Sequence, residues 1–135
     1  MIRVLQFHDS TVASITCEGN TASLNFSAAF LWAWEGTEDV DETTAWAQEG
    51  QLEFAEVRGL DEVDLGEGWL MDGQVLVDSE EHLGRLEIPF NKTGRVSACF
   101  TFNNGSIVRI ESGAVRLLLS GHPKYLGTEP KSDLV

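Results

Sequence analysis

The sequence predicts an all-β fold, a single-domain antiparallel β-sandwich or flattened barrel of about eight to ten short strands. Three observations predict it. Apolar residues recur with period two along most of the 135-residue chain, and no stretch sustains a helical stripe. Turn-forming clusters such as His8-Asp9-Ser10, Glu18-Gly19-Asn20 and Asn103-Asn104-Gly105 punctuate these runs at short intervals. Segment 21–34 sets Leu24, Phe26, Ala28, Phe30, Trp32 and Trp34 on one alternating face. Ser23, Asn25, Ser27, Ala29, Leu31 and Ala33 take the other. Bulky residues on one side and mostly small ones on the other describe a central strand over a packed core.

The elements follow in order. "IRVLQF" at 2–7 and "TVASITC" at 11–17 read as strands separated by the "HDS" turn, and Gly19 with Asn20 makes a tight connection to the segment at 21–34. "QLEFAEV" at 51–57 is a further strand. "WLMDGQVLV" at 69–77 is interrupted by Asp72-Gly73, which predicts a hairpin or a bulge. Pro89 in "RLEIPF" at 85–90 argues for an edge position or a strand end. "VSACFTF" and "SIVRIES" form the clearest hairpin. A three-residue Asn103-Asn104-Gly105 loop with Gly105 left-handed pairs Phe102 with Ser106, Phe100 with Val108 and Ala98 with Ile110. That register gathers the apolar side chains on one face, whereas a two-residue turn would set Phe100 opposite Arg109. "AVRLLLS" at 114–120 closes the series. The domain is expected over 1–126, with 127–135 a loosely ordered tail.

Charge is distributed unevenly. Of the net −13, residues 35–87 account for −15, with 17 Asp and Glu against two Arg, while 1–34 sum to −1 and 88–135 to +3. Direct nucleic-acid binding runs against this balance, because an acidic protein repels a polyanion. The longest apolar-looking segment, 28–34, is far short of the roughly 20 residues a membrane span needs. The start "MIRVLQFHDS" has no signal-peptide pattern, so a cytoplasmic protein with no membrane partner is expected. Cys17 and Cys99 are expected to stay reduced, a disulfide between neighbouring strands being the alternative for an exported chain.

No motif names a reaction, and the chain is expected not to be an enzyme. "HDS" holds the letters of a hydrolase triad, but three successive residues of an extended turn point in different directions. His8 reads instead as a turn or rim residue bonded to Asp9 or the backbone. His8, His82 and His122 are isolated and there is no Cys-x-x-Cys pair. "DVDETT" and "DEVDLGEG" lack the ligand order of an EF-hand loop. No phosphate-cradling glycine loop opens a helix. No metal or cofactor is therefore expected.

The acidic connections carry the remaining signal. "EGTEDVDETT" at 35–44, "DEVDLGEG" at 61–68 and "DSEEH" at 78–82 each fall between predicted strands, and in a sandwich such loops can share one rim. A shared anionic rim would attract a cationic protein through its carboxylates. The residues expected to meet that partner are Glu38, Asp39, Asp41 and Glu42 in the first run and Asp61, Glu62, Asp64 and Glu67 in the second. Trp34 and Trp46 flank the first run. The alternative is a small-ligand or carbohydrate-binding module that uses Trp34, Trp46 or Trp69 as a stacking surface.

Small size, cytosolic start, all-β pattern and acidic middle together resemble the immunity proteins that bacteria pair with secreted toxins. The stretches "LQFHDSTVASI" and "FNNGSIVRI" also resemble small stand-alone bacterial proteins. The resemblance implies a rigid inhibitor without catalysis of its own. Its partner would be a cognate toxin, basic in charge, such as a nuclease or a nucleic-acid deaminase.

Overall fold

The computed structural model describes residues 1–36, 42–62 and 68–129. Among these described residues nine strands form one antiparallel sheet: β1 (Ile2–Glu18), β2 (Thr21–Trp34), β3 (Thr43–Ala55), β4 (Gly59–Glu62), β5 (Gly68–Val77), β6 (Glu80–Leu83), β7 (Arg85–Ile88), β8 (Asn91–Phe102) and β9 (Ile107–Glu129). Their order is β6-β5-β8-β9-β3-β2-β1-β7, with β4 on β9. A short pairing of β1 with β5, Thr11 opposite Trp69 and Val12 opposite Gly68, bends the sheet into a ring. Phe7 N–H donates to the Gly84 carbonyl and Gly84 N–H to the Gly73 carbonyl, both at 2.9 Å, which ties the β6–β7 connection between β1 and β5. The result is a flattened, incompletely regular barrel, as expected from the sequence.

The Phe102–Ser106 hairpin has the register predicted from its side-chain sorting. Phe102 N–H donates to the Ser106 carbonyl at 2.9 Å, Phe100 pairs with Val108 and Ala98 with Ile110. Gly105 takes φ 89°, the conformation that the loop requires and that glycine adopts without a Cβ penalty. Asp72-Gly73 makes a bulge, with Leu70 opposite Phe102 and Asp72 opposite Thr101. Strand β7 ends at Ile88, immediately before Pro89, at one end of the strand order.

Four long strands depart from simple alternation in the same way. In β2 the core receives Leu24 and Phe26, then Ala29 and Leu31, so the inward parity switches. One extra residue between Phe26 and Ala29, relative to Gly50 and Gln48 on β3, produces the switch. The expected bulky face over 24–34 is thereby corrected: Phe30 and Trp32 are half-buried on the far side, and Leu31 faces the core. Strand β5 switches between Leu70 and Val75, and β9 between Ile110 and Val115. In β1 the switch lies between Phe7 and Val12. There "HDS" is a bulge inside one strand, and the two strands expected around it are continuous. Such bulges turn a strand from one layer of a sandwich into the other.

The same device explains the strand lengths. Segments 106–112 and 114–120, expected as two strands, join in β9, which runs on to Glu129. Residues 127–129, expected in the tail, pair with Thr43–Ala45, and 130–135 lie outside the described residues. Inside the ring Phe7, Phe54 and Phe100 meet edge-on, with centroids 5.4 Å apart for Phe7–Phe100 and 6.2 Å for Phe54–Phe100. Leu5, Leu24, Leu52, Leu70 and Ile110 close round them, all at most 1% exposed.

Candidate functional site

Strand β5 fixes where two of the acidic connections stand. The segment 61–68 enters it at Gly68, and 78–82 begins beyond Val77 at its other end. A ten-residue strand spans roughly 30 Å, so Gly68 and Val77, the ends at which these connections meet β5, stand well apart. The third connection, 35–42, joins β2 to β3 where Trp34 pairs with Thr43 and Ile2.

Among the residues expected to meet a partner, Glu38, Asp39, Asp41, Asp64 and Glu67 lie outside the described residues. Glu42 is exposed. Asp61 and Glu62 lie on β4, opposite Arg109 and Val108 of β9. Trp34 is buried, at 7% exposure. Trp46 is half-buried against the core; its indole donates to Thr44 Oγ1 at 2.8 Å and its ring meets Tyr125 edge-on at 5.2 Å.

Two of the three "DSEEH" carboxylates, Asp78 and Glu80, have structural partners. Asp78 adopts φ 54°; its Oδ1 accepts the Arg95 N–H at 3.0 Å and its own N–H donates to the Arg95 carbonyl at 2.9 Å. Glu80 Oε1 stands 3.3 Å from Lys92 Nζ and 2.8 Å from His82 Nε2. These contacts pin the β5–β6 turn to β8. Near the amino terminus the Met1 ammonium lies 3.4 Å from Glu35, both well exposed and therefore strongly screened by solvent.

"HDS" is bonded as a bulge. Ser10 is fully buried; its hydroxyl donates to the Gln6 carbonyl at 2.6 Å and accepts from Phe30 N–H at 2.9 Å. That hydroxyl restores the ladder bond that the bulge removes. His8 Nδ1 donates to the Met71 carbonyl at 2.8 Å, and its Nε2 stands 3.5 Å from Asp9. Cys17 and Cys99 are both free thiols. Among the described residues no three His, Cys, Asp or Glu side chains converge as a metal site, and no helix is long and apolar enough to cross a membrane.

The tryptophan that stands out is Trp69, at 52% exposure. Sequence reasoning had it only as one of three stacking candidates. The bulge at Asp72 was the available signal: with Leu70 and Val75 both inward, Trp69 and Met71 are left outside. A shallow depression of about 520 Å³ on β1–β3 is lined by Thr16, Glu18, Thr21, Ser23 and Glu53 and contains no aromatic ring, so it offers no stacking surface. No protein-family model, curated protein or solved structure matches the chain.

Proposed function

We propose that the protein is a non-catalytic, protein-binding inhibitor of immunity type that acts in the cytoplasm. Its target would be a cognate basic toxin that attacks nucleic acid. The observation that carries this reading is the charge excess of −15 confined to residues 35–87 on a rigid β-scaffold. A negative excess of this size raises the encounter rate with a cationic protein, and carboxylates suit Arg-rich phosphate-binding sites. The test is purification of the chain with the product of the adjacent upstream gene at low and high salt. The expected outcome is a 1:1 complex burying about 1,600 Å², with an association rate that falls as salt rises. A neighbour that is no toxin and binds at neither salt concentration would remove the main support.

Trp69 favours a second reading, in which an exposed indole stacks on a sugar or other small ligand. Titration with soluble oligosaccharides while tryptophan emission is followed separates the two. Saturable quenching that is lost in Trp69→Ala belongs to the ligand reading alone.

A further inference from the structure

Three large apolar side chains stand exposed on β5 and β6: Trp69 at 52%, Met71 at 51% and Leu83 at 59% exposure. Their placement follows from parity. Leu70, Val75 and Val77 fill the core, while exposed Gln74 and its cross-strand neighbour Leu83 face out.

Trp69 is held in place. Asn103 N–H donates to the Trp69 carbonyl at 3.0 Å. The Asn103 amide, set with its oxygen toward the indole, accepts from Trp69 Nε1 at 2.8 Å and donates to the Trp69 carbonyl at 3.3 Å. Gly68 leaves the room this brace needs, because a Cβ there would stand 2.7 Å from the Asn103 side-chain amide. Met71 is steadied through its carbonyl by His8. A large ring already fixed while exposed loses little conformational freedom on docking, which is the property of an interface anchor.

The charge around these anchors points to the partner. Asp72 is exposed beside Met71, Glu81 and Glu111 are exposed in the row of Leu76, and Arg109 is exposed in the row of Gln74 and Leu83. We propose that this face of β5, centred on Trp69, Met71 and Leu83, is the docking surface for a basic protein. An apolar side chain of the partner packs on Trp69, and flanking Arg or Lys residues meet the carboxylates. The proposal rests on the protein-binding reading above and adds the place and chemistry of contact.

The experiment is selection of a phage-displayed random-peptide library against the wild-type chain. Selected peptides are then titrated against Trp69→Ala, Leu83→Ser and, as a control on a distant surface, Tyr125→Ala. The expected peptides carry Arg or Lys around an apolar residue. They bind Trp69→Ala about tenfold or more weakly, lose affinity to Leu83→Ser and as salt rises, and bind Tyr125→Ala as they do wild type. Circular dichroism confirms that each variant is folded, and Leu83→Ser keeps the test open if Trp69→Ala is not. The proposal is overturned by peptides that ignore both β5–β6 changes, by a library that yields none, or by selected peptides without basic residues. Trp69-dependent self-association in sedimentation, or Trp69-dependent oligosaccharide binding, overturns it equally, since the occupant would then be a second copy or a sugar. Failure of the inhibitor reading looks different: Trp69-dependent basic peptides would persist although the upstream gene product is no toxin. Conversely, a toxin complex indifferent to Trp69 and Leu83 would keep that reading and remove this surface.

Discussion

Ser10 shows how one hydroxyl can decide whether a bulge is tolerable. Its oxygen lies at zero exposure between the Gln6 carbonyl and the Phe30 N–H, both of which would otherwise lack their ladder partners. Ser10→Ala removes the bridge and leaves a buried donor and acceptor without compensation. The expected cost is about 1–3 kcal/mol in urea or guanidinium unfolding, with an unchanged denaturant slope. A loss below about 0.5 kcal/mol, the range of an ordinary surface change, would mean that water or backbone relaxation replaces the hydroxyl. Gly73 makes the opposite demand, for absence of a side chain. A Cβ there would stand 2.7 Å from Phe7 Cγ and 2.9 Å from Phe100 Cδ1, inside the aromatic centre. Gly73→Ala is therefore expected to destabilise by about 1–3 kcal/mol through overpacking, measured in the same way. If it stabilised the protein instead, the Phe7–Phe100 contact would have to be looser than its geometry.

Parity switching governs the elements. In β2 the residue added between Phe26 and Ala29 turns Leu31 inward and leaves Phe30 and Trp32 half-buried outside, where Trp32 Nε1 donates to Gln6 Oε1 at 3.0 Å. Inserting one alanine after Ala29 shifts the residues that follow by one and forces Phe30 and Trp32 toward the inward positions of Leu31 and Ala33. The expected result exceeds about 4 kcal/mol, enough to abolish the cooperative thermal transition. An insertion variant that melts normally would refute the parity account. The same switch marks what could be read in the sequence. Strand existence was legible because β-branched and aromatic residues alternate, and the Asn103-Asn104-Gly105 hairpin was legible because only one register sorts Phe100, Phe102, Val108 and Ile110 together. The β2 bulge was not, because Ala28-Ala29 carries no turn chemistry and small residues fit either face. The gap between 106–112 and 114–120 looked like a strand end, yet β9 runs through Gly113 as continuous strand. The acidic loops were visible as composition, but that two of them meet β5 at opposite ends was not, because Asp72-Gly73 could be read as a hairpin as well as a bulge.

At the scale of the whole molecule, charge and closure oppose each other. The ring brings distant segments together, β1 onto β5 and β3 onto β9, so the negative excess of residues 35–87 must be folded into a compact body. Contacts from the basic third of the chain offset part of it: Arg116 Nε donates to Glu53 Oε1 at 2.8 Å, and Lys92 stands 3.3 Å from Glu80. These pairs are largely exposed and weak individually, whereas repulsion among the surplus carboxylates acts over the whole surface. Screening should therefore relieve more repulsion than it removes attraction. Raising ionic strength from about 0.01 M to about 0.15 M shortens the Debye length from roughly 30 Å to roughly 8 Å, and the thermal midpoint of the free protein is expected to rise. Binding to a basic partner should move the other way over the same interval, because there the long-range term is attractive. Calorimetry of the free chain and association kinetics of the complex, taken across one salt series, read the two signs together. A midpoint that falls with salt would show that the ion pairs outweigh the repulsion. In that case the acidic middle would be internally balanced, and electrostatic capture of a cationic protein would lose its physical basis.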